Sequence, residues 1–246
     1  VVEFNKQIDN KSVKQFYKDM ESVREKKDNA IGVVLRLNCP GGSPSLSYEV
    51  AEYIKDFQKD VVIHIYIESI AASGGYFIAA AGKKIYANPF AIIGSIGVIM
   101  QKVEVSGLAE KIGVQEDNIS VGEFKQPLSL FKPIDNDSEQ YLKDQLMTPT
   151  YNLFVNYISE NRNIDIETVK NEYADGRVFV ASEAGNDLVD GVRTFHSLVK
   201  DLVGTNKPMK RVVFVNTVKK SFKDKLGFNF NLRLPQLENN RGLSLS

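Results

Sequence analysis

The stretch 68-ESIAASGGYFIAAAGKK-84 decides how this chain reads. A β-branched apolar run, 61-VVIHIYIES-69, leads into it, and a helix of small residues leads out. Ser73 therefore stands at a strand-to-helix junction, with Ala71 and Ala72 on one side and Gly74 and Gly75 on the other. Small neighbours leave room for another molecule to approach the hydroxyl. The N-terminus of the following helix favours negative charge developing beside it.

Working outward, 30-AIGVVLRLN-38 is a second short apolar run, and both runs read as buried parallel strands. Between them, residues 45–60 place Val50, Tyr53, Ile54 and Phe57 at helix spacing. Upstream, residues 10–27 place Val13, Phe16, Tyr17 and Met20 on one face, with Asn10 or Ser12 as the cap. Strand, helix, strand, helix is the pattern of a right-handed α/β wind. Downstream the pattern gives a strand at 84-KIYA-87, the run 91-AIIGSIGVIM-100, a helix at 107-GLAEKIG-113 and a short strand at 118-NISVG-122. A proline-containing loop at 126–138 follows, then a long amphipathic helix at 138–162 kinked at Pro149. A helix at 165–176 closes at Gly176, and 181–192 reads as a short helix and turn. Beyond about residue 205 come a strand, 211-RVVFVN-216, one more helical stretch and a frayed end.

Composition narrows the function. The 246 residues suffice for one α/β domain with an appendage. Lys and Arg number 31 and so do Asp and Glu, so no bulk charge draws the chain to nucleic acid. The locally basic Lys219, Lys220, Lys223 and Lys225 read as the wet face of a short helix. A single cysteine, Cys39, rules out an internal disulfide and a multi-thiolate zinc site, and two histidines make no His-rich metal centre. No cofactor or metal is expected. No run approaches 18 apolar residues, and the start at 1-VVEFNKQ-7 suggests a trimmed or engineered N-terminus, so that any membrane anchor would have been cut away.

In open α/β sheets, functional groups gather past the carboxyl ends of strands. Two segments sit there: 37-LNCPGGS-43 and 71-AASGGY-76. Alone, the first is usually only a turn and the second usually only a helix cap. Together, on consecutive parallel strands, they make an oxyanion hole from the N–H groups of Gly41, Gly42 and Gly74, facing Ser73 as nucleophile. The serine needs a base. His64 lies within its strand and His196 on a surface helix, so a Ser-His-Asp triad lacks material. A lysine whose ammonium is desolvated is the alternative. Spacing alone leaves Lys83, Lys84, Lys102, Lys111, Lys125 and Lys132 open.

The segments "LNCPGGSP", "IAASGGYFIAAAGKKIYANPFAIIGSIGVIMQ", "SVGEFKQPLSLFKP" and "YADGRVFVASEAGNDLVDGV" resemble, in order and spacing, the signal peptide peptidase A (protease IV) family of Ser-Lys peptidases. "FAIIGSIGV" and "FKQPLSLF" look most like its single-domain SohB-type member. The resemblance covers roughly residues 30–200. It implies Ser73 as nucleophile, Lys125 of "VGEFK" as general base, Ser95 of "GSIG" as the residue orienting the lysine, and Gly41, Gly42 and Gly74 as oxyanion donors. It implies the Clp protease/crotonase-like ββα superhelix, with residues 1–204 as the peptidase domain and 205–246 as an extension that caps an interface. It further implies a ring- or dome-shaped, octamer-like homo-oligomer, a dyad completed between protomers, and peptide substrates such as released signal peptides. The implied location is the bacterial cell membrane, reached through a segment absent from this chain, with the catalytic domain extracytoplasmic. Cys39 departs from the family's serine and is expected to pack. A crotonase-like acyl-CoA enzyme is the rival, but it would want a carboxylate near Ser73, and none lies between Glu68 and Glu104. A catalytically silent membrane scaffold is the other rival, against which the presence of both Ser73 and Lys125 argues.

Overall fold

The computed structural model describes residues 1–26, 30–204 and 212–215. Among them a seven-stranded sheet runs in the order β1 (Val2–Phe4), β2 (Val33–Cys39), β3 (Ile63–Ala72), β4 (Lys84–Ala87) and β7 (Gly191–Val192). All of these neighbours pair in parallel. The α/β class expected from the strand–helix alternation is the one observed. β3 is long enough to hold two strands in succession along one edge. His64–Ile67 pair with β4, and Ile70–Ala72 pair with β5 (Ile92–Gly94). β6 (Val178–Val180) then joins β5 antiparallel. Between the two halves of β3 the register to β2 shifts, with Leu37 opposite Ile67 but Cys39 opposite Ala71. A bulge of this kind bends a strand, and here it separates the stretch of β3 that pairs with β4 from the stretch that pairs with β5.

Helices cover the face on which Ile63, Ile65 and Ile67 are buried. α1 (Asn10–Arg24) buries Val13, Phe16, Met20 and Val23. Its cap is Asp9, not Asn10 or Ser12. The Asp9 carboxylate accepts the Ser12 N–H at 2.7 Å, and the Ser12 hydroxyl accepts the Asp9 N–H at 3.0 Å, a reciprocal capping box. α2 (Pro44–Phe57) starts at Ser43 with Pro44 in its first turn and buries Val50, Ala51, Ile54 and Phe57. α3 (Gly74–Ala80) is buried along its whole length. The opposite face of the sheet carries a smaller cluster, Val34 and Tyr66 with Leu198 of α9 (Phe195–Val203).

After β5 the chain departs from the expected pattern. α4 (Ser106–Lys111) is present, but 118–122 is an exposed irregular segment and not a strand. Its β-branched residues Ile119 and Val121 are fully exposed, and no strand pairs with them among the described residues. The long helix is real but interrupted: α5 (Asn136–Leu142), a π turn over Lys143–Met147, then α6 (Thr148–Arg162). Pro149 lacks an N–H and its ring would clash with the carbonyl of Gln145, so the turn before it widens instead of bending sharply. The expected helix at 165–176 is shorter. α7 (Ile166–Thr168) passes into a second π turn, Val169–Tyr173, and Gly176 lies in the turn beyond at φ 88°. β1 and β6 have no counterpart in the sequence reading, because three residues are too few to show a period. α8 (Gly185–Leu188) occupies the predicted short helix.

The helical and frayed parts of the tail, with the lysines at 219–225, lie outside the described residues. Of the expected strand at 211–216, Val215 pairs with Val2 and its N–H donates to the Val1 carbonyl at 2.8 Å.

Asp190 locks α6 to the sheet. Its carboxylate accepts from Arg162 at 2.9 Å, from Lys84 at 2.9 Å and from the Ile85 N–H at 2.8 Å. Burial alone would raise this carboxyl, but the Ile85 N–H, Lys84 and Arg162 together hold it below the usual carboxylate range. The Arg162 side chain is 8% exposed, so removing its partner strands a nearly buried cation. Asp190→Ala is expected to lower stability at pH 7 by roughly 2–4 kcal/mol in urea denaturation. Because the folded-state pKa is depressed, the wild-type advantage is full above about pH 4 and fades as pH falls further. A constant difference down to pH 2 would show that the carboxylate charge is not what matters.

Candidate active site

Ser73 sits where β3 ends and α3 begins, with φ 52° and ψ −126°. A non-glycine residue in that region carries about 1–3 kcal/mol of strain and is held there by its surroundings. Three hydrogen bonds place it: its N–H donates to the Gly94 carbonyl at 2.8 Å, and its carbonyl accepts the Tyr76 N–H at 2.9 Å and the Phe77 N–H at 3.0 Å. Ser73 occupies the cap position of α3, yet its side chain makes no capping hydrogen bond. The caps Asp9, Ser43, Asp135, Asp165 and Thr194 all accept a first-turn N–H through their side chains. Ser73 therefore does not cap α3 through its side chain.

The glycine turn after β2 lies against this junction. A Cβ on Gly41 would stand 2.9 Å from the Ser73 Cβ and 3.2 Å from the Gly74 nitrogen. Gly41 and Gly42 have φ 111° and 150°, a conformation that glycine alone adopts readily. The turn is clamped by Ile8, whose N–H donates to the Gly41 carbonyl at 2.8 Å and whose carbonyl accepts the Ser43 N–H at 3.1 Å. Gly74 and Gly75 are glycines for a different reason. A Cβ on Gly74 would lie 2.3 Å from the Ser47 hydroxyl oxygen, and one on Gly75 would lie 2.3 Å from the Cys39 carbonyl oxygen. These approaches seat α3 directly on β2 and α2. The first N–H groups of α3 have no acceptor within the helix, so Gly41, Gly42, Ser73 and Gly74 converge as their sequence positions imply.

The other candidates fall into two groups. Ser95 is near the site through its neighbour: Gly94 accepts the Ser73 N–H, and Ser95 itself is half-buried at φ 52°. Lys125 is not part of this cluster. It lies exposed in a turn, its N–H donating to the Gly122 carbonyl at 3.2 Å, and no hydrogen bond joins it to Ser73 among the described residues. The turn is carried on an arm, residues 99–132, that is tied mostly to itself. Val105 N–H bonds the Leu130 carbonyl at 2.8 Å and the Ser129 hydroxyl donates to Glu116 within the arm, while Phe124 reaches outside it to stack on Tyr141 of α5 at 4.4 Å between ring centroids.

Burial lowers the pKa of His64, and its Nδ1 is buried without a hydrogen-bond partner. It precedes Ser73 by nine positions along β3, roughly 25–30 Å at strand rise, so it does not serve as the base. His196 is exposed on α9. Cys39 is fully buried, and burial pushes its thiol up to about 11. It packs, as expected, and supplies no thiolate at neutral pH. The contribution of Ile8 escapes sequence reading, because a single apolar residue in a loop gives no sign of what it clamps. Among the described residues, no group of three or more His, Cys, Asp and Glu side chains is arranged to hold a metal.

An α/β protein with a strained, uncapped serine facing a double-glycine turn at the carboxyl edge of a parallel sheet is built like a hydrolase. Comparison with known proteins gives the family: the chain belongs to peptidase family S49, whose model matches residues 55–207. It is 33% identical to a protein of Methanocaldococcus jannaschii bearing the name of a protease, over 76% of this chain and 60% of that one. It is 36% identical to a protein of Enterococcus faecium bearing the name signal peptide peptidase SppA, over 72% of this chain and 51% of that one. The chain thus spans between half and three fifths of the length of these relatives. Among solved structures, the ClpP protease catalytic domain from Plasmodium falciparum overlaps 78% of this chain and 84% of its own, at 16% identity and a TM-score of 0.48.

The Cys39 environment gives a direct check. Iodoacetamide at pH 7.5 is expected to label the native chain at least about a hundredfold more slowly than the chain in guanidinium, from the thiolate fraction alone. Comparable rates would mean that β2 and α3 do not seal the thiol.

Proposed function

We propose that this chain carries the catalytic unit of a serine endopeptidase acting through a Ser73–Lys125 dyad. The observation that carries the reading is Ser73 itself, strained, free of capping duty and pressed against the Gly41–Gly42 turn. Its Oγ attacks a peptide carbonyl while the Lys125 amine takes the proton. The N–H groups of Gly42, Gly41 and Gly74 receive the oxyanion. Lys125 then protonates the departing amine, and a water it activates hydrolyses the acyl ester on Ser73. Ser95 orients the lysine.

Lys125 rides on an arm whose apolar side chains are exposed in the single chain: Ile99 at 84%, Val103 at 65%, Ile112 at 65% and Val121 at 96%. A surface of that kind favours association. In the proposed homo-oligomer a second copy of this chain covers the arm, and the lysine of one protomer meets the serine of its neighbour. Extended peptides released from membranes, signal peptides among them, are the proposed substrates. Such an assembly admits unfolded chains and excludes folded ones. No helix among the described residues is long and apolar enough to cross a membrane, so the membrane location proposed here rests on sequence outside them.

Ser73→Ala and Lys125→Ala are each expected to lower kcat for peptide cleavage by about 10⁴-fold or more. Co-expressing the two inactive variants should restore activity, because mixed assemblies contain sites with an intact serine facing an intact lysine. Wild-type cleavage by Ser73→Ala would sink the nucleophile assignment. Inactive mixtures would place the dyad within one chain.

A further inference from the structure

Ser73 is held by Gly94, and Gly94 is held in turn by a segment about eighty residues downstream. Gly94 and Ser95 are consecutive residues at positive φ, 96° and 52°, and the second is not a glycine. Such a backbone does not persist by local preference; here it is pinned from outside. The Ser95 N–H donates to the Arg177 carbonyl at 2.8 Å, and the Gly176 N–H donates to the Ile96 carbonyl at 3.1 Å. The β5–β6 ladder ends beside this bracket, with Gly94 opposite Val178. Packing is backbone against backbone: a Cβ on Gly94 would lie 3.2 Å from the Arg177 carbonyl oxygen, and one on Gly97 would lie 3.3 Å from the Gly176 Cα.

The turn supplying these contacts, 174-ADGR-177, is fixed by one side chain. The Asp175 carboxylate accepts the backbone N–H of Arg177 at 3.1 Å and the Arg177 Nε at 2.8 Å, and the terminal guanidinium nitrogen closes the fork. The pair is exposed, Asp175 at 45% and Arg177 at 56%. An exposed ion pair adds little to global stability, so stability is a poor account of it. Position is a better one: the N–H it captures belongs to the residue whose carbonyl holds Ser95.

We propose that Asp175 is a positioning residue for Ser73. It sets the Arg177 carbonyl, which sets Ser95 and the Gly94 carbonyl, which receives the Ser73 N–H. The chain of contacts is continuous, and it links the serine junction to the antiparallel strand β6. This rests on Ser73 being the nucleophile.

The test compares Asp175→Ala, Asp175→Asn and Arg177→Ala in the full chain. Readouts are peptide cleavage, the rate of fluorophosphonate labelling at Ser73 and thermal unfolding. Asp175→Ala is expected to lower kcat and the labelling rate about tenfold, within the range that displacement of a reacting group by an ångström produces. KM should stay within about twofold and the melting temperature nearly unchanged. Asp175→Asn keeps an oxygen for the Arg177 N–H and should recover most of the rate. Arg177→Ala keeps the same backbone bond and should be equally mild. Undiminished labelling in Asp175→Ala, or no recovery in Asp175→Asn, overturns the proposal, as does a rate loss matched by a loss of melting temperature. Ser73→Ala separates the two levels. If it is labelled and cleaves like the unaltered chain, the nucleophile reading falls and this proposal with it. If labelling depends on Ser73 and ignores Asp175, only the positioning role is lost.

Discussion

The close approach of two backbone turns governs this molecule. The Gly41 turn after β2 and the Ser73 junction after β3 stand near enough that one added methyl on Gly41 would collide with the serine side chain. Bringing two loops so close requires their strands to be adjacent and parallel, and the helix after the second strand to lie almost on the first. Both conditions are met by small residues. Gly74 and Gly75 let α3 settle against Ser47 and the Cys39 carbonyl, and burial of every α3 residue then fixes the helix. The strain at Ser73, about 1–3 kcal/mol, is small beside the burial of Tyr76, Phe77 and Ile78 on that helix, each of which contributes a comparable amount.

Three separate pieces of chain hold the junction, and each acts through backbone hydrogen bonds. Ile8 clamps the glycine turn, Gly94 receives the serine N–H, and the 174–177 turn holds Gly94 and Ser95 in place. Backbone contacts suit this task because they fix φ and ψ directly, whereas side-chain contacts leave rotamer freedom. Under the proposed function the result is a rigid half-site for acyl transfer: the serine and the proposed oxyanion donors are set by the sheet, with the proposed base carried elsewhere. The arm bearing Lys125 has the opposite character, being open, self-tied and apolar on its exposed side. Under the proposed function that contrast has a purpose. The half-site is built within one chain, and the base arrives with a second.

Much of this was legible in the residues. The apolar runs at 30–38 and 61–69 and the helical periods between them specified parallel α/β winding. The order β2-β3-β4 follows from consecutive strand–helix–strand connections through α2 and α3, whereas β1 and β7, three and two residues long, gave no sign of their places. Ser73 with Gly41, Gly42 and Gly74 was legible as a constellation because adjacent parallel strands must deliver their carboxyl ends to the same edge. Lys125 was not legible from spacing, since a lysine on an exposed turn looks like any other; only the resemblance to a peptidase family singled it out. The cap at Asp9, the π turns beside Pro149 and after α7, and the irregular 118–122 segment differ from expectation. In each, a local tendency is answered by a neighbour or a missing neighbour: a reciprocal hydroxyl, a ring that lacks an N–H, a β-branched stretch with which no described strand pairs.

By itself, then, the sequence determined the alternation of elements, the core faces and the chemistry available at two strand ends, because those depend on period and on residue type. Tertiary structure alone decided that Ser73 is strained and uncapped, that Ile8 and the 174–177 turn hold its surroundings, and that Lys125 stands apart on an exposed arm. These are contacts between segments tens of residues apart. No period or local propensity records such a contact, and it exists only once the sheet has brought its strands side by side.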